Sequence, residues 1–247
     1  MNKRRVITSP IIISGAAFVG IKYYMQTKKL HIKKQTIRTN LKKMKRVVIL
    51  GDSVARGYGT DNGGLTSHLK QFFESEYGDV DIINKGIDNL TSKGLLNNIE
   101  RNEEVRFVVS KANIVLINIG GNDLIRRFKE GGPKEIVLNI FRIRKNYNRN
   151  LEAIIAHIKE LNPSAAIIVN SLYNSLDDNY QYFGFTTVLF KLWNMSIKQE
   201  SIIKVNTKGL SRDKDIWVDM VHPNDKGYEE LSKIIIQQLK PFLIDES

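Results

Sequence analysis

Apolar and polar residues follow two rhythms along this chain, and the change from one to the other marks its elements. Consecutive apolar residues stand at 47–50, 114–119, 165–169 and 202–205, broken only by Asn118 and Lys204, and a shorter mixed run lies at 80–84. Short runs rich in Val and Ile, bounded by Gly, Asp or Asn, predict strands covered on both faces. Between them the spacing widens to three and four. Residues 62–77 carry Leu65, Leu69, Phe72 and Phe73, and residues 135–161 carry Ile136, Ile140, Ile143, Tyr147, Leu151, Ile154, Ile155 and Ile158. Both stripes predict amphipathic helices. Thr91 or Ser92 can cap another helix toward Glu104, Asn162 and Pro163 stop the long one, and residues 224–239 close the chain as a helix. Strands alternating with helices predict an α/β protein: a three-layer α/β/α sandwich around a mostly parallel sheet of about five strands.

Charge changes this picture at one end only. The chain of 247 residues has a formal net charge of +12, yet residues 1–46 hold 13 of its 38 Lys and Arg and no Asp or Glu. The remainder has 25 basic against 26 acidic residues and is close to neutral. This distribution points to an anionic surface near an N-terminal arm and speaks against nucleic acid docked on the domain. Lys3, Arg4 and Arg5 precede an uncharged run at 6–21, the shape of an export signal. The small residues Ser14 to Ala17 lie inside that run, which favours an uncleaved anchor over a secreted product. Strong basicity after the run pulls the other way, since basic flanks tend to stay cytoplasmic, and leaves an interfacial anchor open. The expected organisation is an anchor at 1–25, a basic tether at 26–45 and one domain at 46–247. Export would place that domain outside the cell. With no cysteine in the chain, disulfides and thiol nucleophiles are excluded.

The candidate chemistry lies at the ends of the predicted strands. Ser53 follows the first strand in Gly51-Asp52-Ser53, Gly86 follows the second, and Gly120-Gly121-Asn122-Asp123 follows the third. A parallel sheet brings all three to one edge, where α/β proteins open their ligand crevice. Near the C-terminus Asp219 precedes His222 by three residues, a separation that one turn can close. Singly, each of these is equally a cap or a turn. His31 falls in the tether, His68 and His157 fall in helical patterns, and no His and carboxylate cluster has metal-ligand spacing. Neither a metal nor another cofactor is expected.

Together, Gly51-Asp52-Ser53, Gly86, Gly120-x-Asn122-Asp123 and Asp219-x-x-His222-Pro223 resemble the four ordered blocks of the SGNH, or GDSL-type, hydrolase superfamily, over roughly residues 46–240. The segments at 161–163 and 172–174 resemble its membrane-anchored bacterial lysophospholipase-like branch. Asn113, where relatives often have Asp, and Ser175, where that branch often has Pro, depart from the pattern. The resemblance implies a flavodoxin-like SGNH fold and a carboxylic ester hydrolase. It implies Ser53 as nucleophile, His222 as base and Asp219 as its orienting carboxylate, with an oxyanion hole formed by the Ser53 and Gly86 amides and the Asn122 side chain. The implied substrate is a small-molecule or lipid ester. An O-acetyl esterase of glycans and a non-catalytic surface-binding module are the alternatives. Aromatic residues at 173–193 read as core first and as an acyl-chain wall second.

Overall fold

The computed structural model describes residues 25, 44–197 and 201–243, so the predicted anchor except Met25 and almost all of the tether lie outside the described residues. Five strands form one all-parallel sheet: β1 (Arg46–Gly51), β2 (Asp81–Gly86), β3 (Ile114–Asn118), β4 (Ala166–Asn170) and β5 (Ile202–Val205), in the order β2-β1-β3-β4-β5. The predicted strand positions hold to within about two residues. Asn113 helps set the register: its Oδ1 accepts from the amides of Lys45 and Arg46, at 2.9 and 3.0 Å, and so fixes where β1 begins.

Alternation inside the buried strands divides the core in two. Val48, Leu50, Val115, Ile117, Ile167 and Val169 face a layer built by α3 (Ser92–Arg101), α4 (Glu103–Ser110), α5 (Gly121–Leu161) and α6 (Phe183–Asn194). Val47, Ile49, Ile114, Leu116, Ile168 and Val205 face the other layer, built by the short α1 (Ser53–Arg56), α2 (Leu65–Tyr77) and α7 (Asp225–Leu243). This is the three-layer sandwich, and each fully buried Leu, Ile or Val contributes about 1.5–3 kcal/mol to it.

Helix boundaries differ from expectation in three places, each with a local cause. Asn102 accepts from Val105 N at 3.2 Å and starts α4, splitting the single helix expected up to Glu104. The long helix begins at Gly121 rather than near 135 and is kinked at Gly131 and Gly132, ahead of Pro133. Part of the aromatic stretch is α6, whose Trp193 is fully buried with its ring 4.5 Å from that of Tyr147. Its C-terminal end is core, as read first.

Because β2 and β3 flank β1 on opposite sides and their connections cross opposite faces, a crevice opens beyond the carboxyl ends of β1 and β3. Ser53 and Asn122 stand there.

Candidate active site

Gly51 ends β1 with φ 143°, and a Cβ at this position would lie 1.9 Å from the carbonyl oxygen of Asn118. Only glycine lets the chain turn so closely over β3. Asp52 then caps α1, accepting from Val54 N at 3.1 Å, and Ser53 becomes the first residue of a helix. Among the described residues the Ser53 amide forms no hydrogen bond, as expected of a first-turn donor.

His222 reaches Ser53 from the other end of the chain. Its Nε2 lies 2.8 Å from Ser53 Oγ, and its Nδ1 lies 2.8 Å from Asp219 Oδ2. Asp219 Oδ1 also accepts the amides of Val221 and His222, both at 2.7 Å, so the three-residue separation is closed by a turn wrapped around the carboxylate. Burial alone would raise the Asp219 pKa, but these bonds outweigh it and hold the group below its ordinary value. An ionised Asp219 takes the Nδ1–H, which leaves Nε2 bare to accept from the serine hydroxyl. The loop is pinned from outside. Tyr173 OH donates to Val221 O at 3.0 Å, and Ser175 Oγ donates to Met220 O. Ser175, the residue that departs from the branch pattern, thus ties the rim to the loop carrying His222.

Asn122 is nearly buried, and its Nδ2 donates to Leu90 O at 3.0 Å, leaving its second N–H unused. Gly86 corrects an expectation. Its amide donates to Asn84 Oδ1 at 2.8 Å and is not open to a ligand. Its close approach is to α1 instead, where a Cβ would meet Arg56 N at 2.3 Å. Three residues on, Asn89 has φ 59°, the left-handed region that is uncommon outside glycine, and its amide forms no hydrogen bond among the described residues. It directly precedes the Leu90 carbonyl that holds Asn122, so the loop supplies a free donor from Asn89 where Gly86 was expected to supply one.

A buried polar chain below the serine was not foreseen. Asn118 Nδ2 donates to Asp52 Oδ1, and Asn118 Oδ1 accepts from Asn170 Nδ2, each at 3.2 Å, linking the ends of β1, β3 and β4. Burial pushes Asp52 up to about 6 against the lowering effect of Asn118, the Val54 and Ala55 amides and His222. One signal was in the sequence: Asn118 interrupts one apolar run and Asn170 closes another.

Comparison with known proteins agrees with this architecture. A relative, the uncharacterized protein YpmR of Bacillus subtilis (strain 168), is 26% identical over 221 residues, covering 84% of this chain and 86% of the relative. The fold is similar to that of the lipase Lip_vut3 from a goat rumen metagenome, with TM-score 0.67 and 18% identity, covering 79% of this chain and 97% of that one. It is also similar to the acetylxylan esterase Axe2 from Geobacillus stearothermophilus, with TM-score 0.62 and 16% identity, covering 83% and 100%. Residues 49–230 match the GDSL-like Lipase/Acylhydrolase family, and the chain belongs to that family of carboxylic ester hydrolases.

Proposed function

We propose that this chain cleaves esters of acyl lipids, with Ser53 as nucleophile, His222 as general base and acid, and Asp219 as the carboxylate that orients the imidazole. The observation that carries the reading is the unbroken line from Asp219 Oδ2 through His222 to Ser53 Oγ, with both contacts at 2.8 Å. Ser53 gives its proton to Nε2 as Oγ bonds to the ester carbonyl carbon. The oxyanion that forms is met by the free donors of the Ser53 amide, the Asn122 side chain and the Asn89 amide; losing one such donor costs about 3–4 kcal/mol of transition-state stabilisation. His222 returns the proton to the leaving alcohol. It then takes one from water, whose oxygen bonds to the acyl carbon, and gives it to Ser53 Oγ as the bond from Oγ to the acyl carbon breaks and the acid is released. Catalytic mutants of Axe2 replace a serine and a histidine, in keeping with these roles.

An acyl substrate is favoured by the apolar residues near the crevice. Tyr58, Ile87, Val218 and Met220 are all exposed although large and apolar, and Val218 and Met220 flank Asp219 directly. Removal of short acetyl groups from a glycan is the second reading, favoured by the acetylxylan esterases among the structural neighbours. Hydrolysis of p-nitrophenyl esters of graded chain length by the full chain separates the two: rates rising with chain length support lipid, and rates confined to acetate support the glycan. Activity unchanged in Ser53→Ala, with no labelling of Ser53 by a fluorophosphonate, would leave a binding module. Residues 1–25 are proposed to export the domain and anchor it to the membrane; fusing residues 1–45 to a reporter active only outside the cytoplasm tests this.

A further inference from the structure

The kink at Gly131 and Gly132 divides α5 into two arms, and a cavity of about 380 Å³ lies against both of them and the start of α3. Five cations line it: Lys93 from α3, Arg126 and Arg127 from the first arm, and Arg142 and Arg149 from the second. Only two carboxylates share the lining, Asp123 and Glu130, and neither is free. Asp123 accepts from the Ser92 hydroxyl and amide at 2.6 and 2.9 Å, and Glu130 pairs with Arg127 at 2.6 Å. Lys93, Arg126, Arg142 and Arg149 form no ion pair among the described residues. Arg142 and Arg149 donate only to neutral amides one turn earlier on their own helix, Asn139 and Asn146. Like charges gathered around one cavity repel one another, and an anion placed among them offsets the repulsion while accepting charge-assisted hydrogen bonds.

We infer that this cavity is a binding site for a phosphate-class anion. It adjoins the candidate site through two bonds: Arg126 donates to Asn89 O at 2.9 Å, and Asn122, the neighbour of Asp123, donates to Leu90 O. On the substrate reading, an ester whose carbonyl sits at Ser53 carries its phosphate group toward the cavity. Placement of the anion on the substrate rests on the hydrolase reading above; binding of the anion itself does not.

Two measurements on the full chain test the site. Inorganic phosphate is titrated calorimetrically at fixed ionic strength into wild type and an Arg142→Gln/Arg149→Gln variant, with at least a tenfold loss of affinity expected in the variant. Esterase kinetics then compare a 1-acylglycerol 3-phosphate with the uncharged 1-acylglycerol of the same acyl chain. A KM raised at least tenfold for the phosphorylated ester alone supports the site and assigns it to the substrate. Loss of phosphate affinity with both KM values unchanged supports the site and assigns it to the free anion. Absence of phosphate binding to wild type, together with equal KM changes for both esters or none, overturns the inference. If neither ester is turned over, the hydrolase reading fails while the titration still decides the site. The exposed Lys93→Gln serves in place of the double variant if that one does not fold.

Discussion

Ser53 and His222 meet in one contact but are supported in opposite ways. Ser53 follows β1, which pairs along its length with β2 and β3 and whose turn is wedged against the backbone of Asn118. His222 sits in a loop without helix or long strand of its own, held by the Trp217–Pro223 bridge, by the Val218 amide to the His222 carbonyl at 2.9 Å, and by the hydroxyls of Tyr173 and Ser175. The position of Ser53 is therefore inseparable from the core, whereas His222 is positioned by a few removable bonds. Damage on the first side should cost folding; damage on the second should cost turnover and spare the fold.

The sharpest contrast is expected from His222→Ala. It should lower kcat/KM for a short p-nitrophenyl ester by at least about 10³-fold while barely moving the urea midpoint; a matching loss of stability would break the distinction. Next comes Gly51→Ala, which forces a side chain into the Asn118 carbonyl in a left-handed conformation. A loss of about 3 kcal/mol or more in urea unfolding is expected, and near-wild-type stability would show that the turn can relax. Asp52 gives a smaller effect, tied to pH. With its pKa raised from 3.8 to about 6 by burial, the native state keeps a proton that the unfolded chain releases. Stability should thus fall as pH rises from about 4 to 6, by about 3 kcal/mol in all. Asp52→Asn should flatten that slope, and a slope equal to wild type would assign the titration to another group. The mildest case is Tyr173→Phe, which removes one loop pin. About tenfold in kcat and about 1 kcal/mol in stability are expected; kcat unchanged with a greater loss of stability would place Tyr173 on the folding side of the contrast.

Strands were legible because continuous Val and Ile runs have few other uses, and Asp219 with His222 because a three-residue spacing can close on itself. The four-residue α1 was too short to carry a period, and the first arm of α5 was hidden by its opening glycines, which read as a turn. Gly86 misled for a specific reason: a glycine required by packing against Arg56 looks the same in sequence as one required by a ligand. Asn89 carries no such mark, since nothing in an Asn announces a positive φ. The cationic cavity escaped for a different reason. Its charges come from positions 93, 126, 127, 142 and 149, scattered through a domain that is near neutral as a whole, and only the fold around the kink gathers them.

Ser53 and His222 are 169 positions apart in the chain. On a ribosome adding about 5–20 residues per second, the serine is made roughly ten to thirty seconds before its imidazole. Through that interval Ser53 lacks the imidazole that lies 2.8 Å from its hydroxyl in the folded chain, so under the proposed mechanism the nascent polypeptide gains activity only once α7 docks and brings the last loop across the crevice.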